Sequence, residues 1–98
     1  MNLTVVGTGY VGLVTAACFA EYGYSVKCID KDHDRLQQIK SGHCPFFEPG
    51  MDELLNKHIK KTKLLSFAST IQNNLEDTNI IFITVGTPSR RLEDDADL

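Results

Sequence analysis

The stretch LTVVGTGYVGLVTAACFAEYG, residues 3–23, decides how the chain is read. Three glycines, Gly7, Gly9 and Gly12, fall between a β-branched apolar run and a helix-like segment. Glycine weakens strands and helices alike, so three at one junction need a reason. The spacing G-x-G-x-x-G supplies it. After a strand, Gly7 makes the tight turn, Gly9 lets backbone approach a pyrophosphate, and Gly12 lets the following helix lie close on the strand. The helix N-terminus then offers free N–H groups and a partial positive charge to phosphates.

Working outward, residues 2–7 predict a strand and 10–22 a helix apolar nearly all round, closed at Gly23 by a left-handed cap. Residues 25–30 predict a second strand that ends on Asp30, 18 residues after Gly12. A carboxylate there can accept hydrogen bonds from both ribose hydroxyls of an adenosine, and it repels a 2′-phosphate, which favours NAD over NADP. The alternative makes the glycines plain turn residues and Asp30 a surface acid or helix cap. Agreement of spacing, strand, helix and acid argues against it. Arg35 has two readings, along the adenine edge or paired with Asp32 on a helix surface.

Asp32 is the expected N-cap of a short helix carrying Leu36 and Ile39 inward and ending near Gly42. The segment GHCPFFEPG, residues 42–50, excludes regular structure with its prolines and glycines. Met51, Leu54, Leu55 and Ile59 then recur at helical spacing. A weak strand is expected over 64–67 and a short helix over 69–76. Residues 80–85, IIFITV, form the strongest strand signal, apolar on both faces as a central strand should be. Alternating strands and helices predict an α/β fold, a Rossmann-type doubly wound parallel sheet covered by helices on both faces, here truncated to about four strands in the order 3-2-1-4. Val85–Pro88 then falls on the same rim as the glycine loop. Val85 and Thr87 are candidate cofactor contacts there; the other reading of Thr87-Pro88 is a simple strand stop.

The 98 residues make one small domain, and 42% hydrophobic content is that of a globular protein. A net charge of −3, with acids bunched at Glu93, Asp94, Asp95 and Asp97, gives no case for nucleic acid or an anionic membrane as partner. No apolar run approaches the roughly 20 residues of a membrane span. The first residues lack a charged leader and cleavage site, and three scattered cysteines suit a reducing compartment, so a cytoplasmic location is expected. Cys18 and Cys28 are expected to be buried, Cys44 more exposed, and His33, His43 and His58 at the surface or rim without metal spacing. Lys57, Lys60, Lys61 and Lys63 are expected as a solvated helix end.

Together, GTGYVGL (7–13), Asp30, PFFEPGM (45–51), FITVGTP (82–88) and DADL (95–98) resemble the N-terminal part of the UDP-glucose/GDP-mannose dehydrogenase family. The resemblance covers the whole chain. It implies NAD as cofactor and a two-step oxidation of a nucleotide sugar's C6 alcohol to the carboxylate, UDP-glucose to UDP-glucuronate with two NAD being the first choice. GDP-mannose and N-acetylated UDP-hexoses stay open. It implies cofactor contacts at Gly7, Gly9, Tyr10, Val11, Gly12, Asp30, Arg35 and Thr87, and a homodimeric full-length enzyme. Glu48, Pro49 and Gly50 match a loop at the mouth of the site. The family's nucleophilic cysteine and its lysine, asparagine and aspartate helpers match no position here, so no catalytic residue is assigned.

Residues 1–98 are therefore expected to be the N-terminal portion of an NAD-binding Rossmann domain, without the family's remaining domains and inactive alone. Strand 80–85, left as an edge, is expected to self-associate. The rival class is a stand-alone dinucleotide-binding module without chemistry. A methyltransferase also uses a glycine loop and an acid, but the glycine spacing and the PFFEPG loop disfavour it.

Overall fold

A computed structural model describes residues 1–85. The elements are β1 (Asn2–Val6), α1 (Tyr10–Glu21), β2 (Ser25–Ile29), α2 (His33–Lys40), α3 (Met51–Asn56), a π-helical turn (Lys57–Lys61), β3 (Leu65–Ala68) and β4 (Ile80–Ile83). The four strands form one parallel sheet in the order β3-β2-β1-β4. This is the expected strand order. Its register sets Phe67, Cys28, Val5 and Phe82 in one row across the sheet.

That row belongs to the core face. Leu3, Val5, Val26 and Cys28 are buried there against Leu13, Ala16, Ala17 and Ala20 of α1. The three alanines keep α1 close to the sheet, which is what a helix following a tight glycine turn requires. Phe19 stacks on Phe82 with ring centroids 5.3 Å apart, tying α1 to β4. Ile39 of α2 and Met51 and Leu55 of α3 complete the same core. α2 starts as expected, with the Asp32 carboxylate accepting the Arg35 N–H at 3.0 Å. Gly23 and Gly42 follow α1 and α2 at φ 97° and 91°.

The opposite face departs from expectation. Residues 69–76 are not a helix but a run of bends and turns. Asn74 donates its side-chain amide to the carbonyls of Thr70 and Gln72, and Asn73 takes a positive φ of 64°. Asparagine side chains that capture nearby carbonyls compete with helix formation. Thr4 bonds Thr78, and Lys27 donates to the Asn74 carbonyl and side chain. The described helices thus all lie on one face.

Three smaller corrections follow. The expected strand over 80–85 stops at Ile83, because Thr84 turns its hydroxyl back onto β1. Cys18 is exposed rather than buried. His58 is buried, at 2% exposure, rather than at the surface. The helix begun at Met51 widens into the π turn where His58 reaches inward. Its Nε2–H donates to Glu21 Oε1 at 2.7 Å, and Nδ1 meets the Thr62 hydroxyl at 2.8 Å. No described helix is long and apolar enough to cross a membrane.

Candidate functional site

The carboxyl ends of β1, β2 and β4 meet around a cleft of about 670 Å³. Gly7, Gly9, Asp30, Arg35 and Val85 line it, as do Thr8, Thr84 and Ile71, which sequence reasoning missed. Thr87 and Pro88 lie outside the described residues.

Each glycine has a measurable reason. Gly7 turns out of β1 at φ 102°, a conformation other residues rarely adopt. A side chain at Gly12 would place its Cβ 1.9 Å from the Gly7 carbonyl oxygen and 2.5 Å from Thr84 Oγ1, so this position is closed by the loop itself. At Gly9 the added carbon would meet only Arg35 Nη1, at 4.0 Å. The space over Gly9 is open toward the cleft.

Gly9 is also the N-cap of α1 and brings no side-chain cap, and the first turn holds no acidic residue. The first N–H groups of a helix have no intrahelical partner. Those of Tyr10, Val11 and Gly12 precede the first ladder bond, from the Leu13 N–H to the Gly9 carbonyl at 2.9 Å. The positive end of a twelve-residue helix is thus left to whatever approaches from the cleft.

Asp30 follows β2 and is bound to the glycine loop. Its Oδ2 accepts the Thr8 N–H at 2.8 Å and the Thr8 hydroxyl at 2.6 Å, and its Oδ1 accepts the Asp32 N–H at 3.0 Å. Partial burial pushes its pKa up. The bonds from Thr8 and Asp32 and the Arg35 charge outweigh that, and the carboxyl is held below its ordinary 3.8. Arg35 reaches from the surface of α2 to the wall of the cleft. Its Nε is 3.9 Å from Asp32 Oδ2, and its Nη1 donates to the Thr8 carbonyl at 3.4 Å, beside the cleft.

Tyr10 and Val11 are exposed on the first turn of α1 and do not line this cleft. The Tyr10 side chain holds the 42–50 loop instead. Its hydroxyl donates to Glu48 Oε1 at 3.2 Å, and its ring lies 5.0 Å from that of Phe46. The Glu48 bond and charge raise the Tyr10 pKa above 10.0. The loop expected at the mouth of the site is therefore joined to the glycine loop through one residue. The sequence signals for the missed residues are slight: a threonine between two glycines, and a threonine closing an isoleucine-rich strand.

The thiols of Cys28 and Cys44 are poorly disposed to ionise. Burial pushes the Cys28 thiol up to about 12, and burial with the charges of Asp52 and Glu48 raises Cys44 despite a backbone bond from Phe46. Among the described residues no three histidine, cysteine or carboxylate side chains gather as a metal site.

The model of the UDP-glucose/GDP-mannose dehydrogenase family, NAD binding domain, matches residues 1–98. A UDP-glucose 6-dehydrogenase of Rhizobium meliloti (strain 1021) is 42% identical over 98 residues, all of this chain and 22% of that protein. A solved GDP-mannose dehydrogenase from Pseudomonas aeruginosa superposes at TM-score 0.83 with 34% identity, over 90% of this chain and 20% of its own. A UDP-glucose dehydrogenase from Pyrobaculum islandicum gives 0.81 and 36%, over 89% of this chain and 20% of its own. The chain thus spans about a fifth of the length of the relatives it matches.

Proposed function

The chain belongs to the UDP-glucose/GDP-mannose dehydrogenase family, whose NAD binding domain it matches throughout, and from that premise we propose that its cleft holds the ADP half of NAD for oxidation of a nucleotide sugar. The observation that carries this is the opening of the glycine loop and the α1 N-terminus onto the same cleft as the Asp30 carboxylate. The residues fit the cofactor. Gly9 leaves room for a pyrophosphate, the free N–H groups of the first turn receive its oxygens, and Asp30 accepts from the adenosine ribose. Arg35 stands beside Gly9 with a charge for the same phosphates or the adenine edge. Val85 bounds the cleft beyond β4. Tyr10 and Val11 contribute backbone rather than side chains, and Gly12 acts by keeping α1 seated.

NAD supplies the hydride acceptor when bound. The chain's own part is to bind and orient it at the carboxyl ends of the strands, where doubly wound sheets take ligands. The substrate is UDP-glucose, oxidised at C6 to UDP-glucuronate with two NAD, in a cytoplasmic homodimer in which residues 1–98 begin the first Rossmann domain. Support for UDP-glucose comes from the 42% identical UDP-glucose 6-dehydrogenase of Rhizobium meliloti.

Titration of the chain with NAD, NADP and ADP, followed by amide chemical shifts, tests the reading. NAD and ADP should move Gly7–Gly12 and Asp30, and NADP should not. Shifts confined to other residues, or an equal response to NADP, would sink it.

A further inference from the structure

The first turn of α1 lacks the local supports that usually hold a helix start. Its N-cap, Gly9, brings no oxygen to the free N–H groups, and the turn contains no acidic residue. Burial begins only at Gly12, while Tyr10 and Val11 are 54% and 62% exposed. A helix end held so lightly frays. The support comes from 38 positions away, where the Tyr10 hydroxyl donates to Glu48 Oε1 at 3.2 Å. The Tyr10 ring also lies 5.0 Å from that of Phe46. The loop that carries Glu48 and Phe46 is itself fastened. The Cys44 N–H bonds Asp52 Oδ1 at 2.8 Å, and the Met51 N–H bonds the Glu48 carbonyl at 3.1 Å. The Asn56 amide reaches the Gly42 carbonyl at 3.4 Å, and Phe46 packs against the core.

We infer that Glu48 is a positioning residue that acts through the Tyr10 hydroxyl, holding the first turn of α1 in place of the cap that Gly9 cannot carry, so that the N–H groups of the turn meet phosphate already aligned. Gly9 stays open toward the cleft, and the restraint a capping side chain gives is moved to Glu48 and Phe46, which line a hollow apart from it. The inference rests on the reading that these N–H groups receive the pyrophosphate. A turn that is aligned only part of the time binds its ligand more weakly by that fraction. Linkage makes the effect reciprocal, so phosphate bound at the turn favours the same Tyr10–Glu48 contact.

Amide hydrogen exchange on the ligand-free chain reads the restraint at Leu13, whose N–H makes the first ladder bond of α1. Tyr10→Phe keeps the ring and removes the hydroxyl. Leu13 should then exchange about fivefold faster, as the loss of one hydrogen bond predicts, with Ala16, Ala17 and Ala20 unchanged. Glu48→Ala should do the same, and the double variant should be no worse than either single one. Glu48→Gln offers an amide oxygen to the same hydroxyl and should return Leu13 to within about twofold of the parent. In calorimetric titration, Tyr10→Phe and Glu48→Ala should bind NAD about threefold more weakly, and Glu48→Gln as the parent does. Unchanged exchange at Leu13 overturns the inference while leaving the reading of the glycine loop in place. Faster exchange spread evenly along α1, additive losses in the double variant, or no rescue by Glu48→Gln overturns it too, as does faster Leu13 exchange with NAD affinity unchanged. If the parent chain does not bind NAD, the reading of the glycine loop fails, and exchange at Leu13 still decides whether Glu48 restrains the turn.

Discussion

Gly9 and Gly12 stand three residues apart and do opposite work. Gly12 is shut in by protein, with the Gly7 carbonyl where a Cβ would go; Gly9 faces the cleft and could carry one. Gly12→Ala should therefore cost the fold about 3 kcal/mol, because the obstruction is backbone that cannot turn aside. Gly9→Ala, at φ −73°, should leave stability within about 0.5 kcal/mol and weaken NAD at least roughly tenfold by crowding the pyrophosphate. Urea melts and NAD titrations on the two variants separate the roles. Equal losses of stability would show that Gly9 is a folding residue too. The glycines were legible because their meaning lies in local spacing. Thr8 and Thr84 were not, because their hydroxyls answer to Asp30, 22 positions on, and to carbonyls of β1 and Gly7, 77 or more positions back.

Elements were legible where one periodicity ruled. β1, α1, β2 and α2 came out within a residue or two of their expected bounds because apolar spacing and caps agreed there. The segment 69–76 did not, since the carbonyl bonds of Asn74 and the positive φ of Asn73 outweighed a weak helical pattern. The π turn was equally hidden, because its cause is a tertiary partner. Glu21 ends α1 and receives His58 from the turn, with Lys57 Nζ 3.3 Å away. First the His58 bond and then Lys57 hold Glu21 below its ordinary 4.5. A carboxyl whose folded pKa is depressed adds stability above its unfolded value and loses it as pH falls through the folded one. The junction between α1 and the π turn should thus weaken as pH drops below 4.5. Glu21→Gln should remove that part of the acid dependence, so the gap in urea midpoint between variant and parent should be widest at neutral pH and close in acid. A gap independent of pH would mean that charge plays no part in the junction.

At the scale of the molecule, the described residues build one mononucleotide-binding half of a doubly wound sheet, with β4 outermost on the side of β1. β4 is apolar on both faces, as a strand buried between neighbours is. Yet Ile80, Ile81 and Ile83 are 41%, 44% and 66% exposed. Among the described residues no strand pairs with its outer edge. An unpaired edge with apolar faces is a template for another strand. Its position matters for the site, because Thr84, the next residue, bonds the carbonyls of Val6 and Gly7 and so links β4 to the glycine loop. The isolated chain should associate with rising concentration in sedimentation velocity. Ile83→Lys, which places a charge on the more exposed face of β4, should shift it toward monomer. Tyr22→Lys, on a residue that is 80% exposed just past α1, should not. If the parent chain sediments as a monomer over a hundredfold range of concentration, β4 is not adhesive. If Tyr22→Lys acts as strongly as Ile83→Lys, association runs through another surface and the glycine loop is untouched by it.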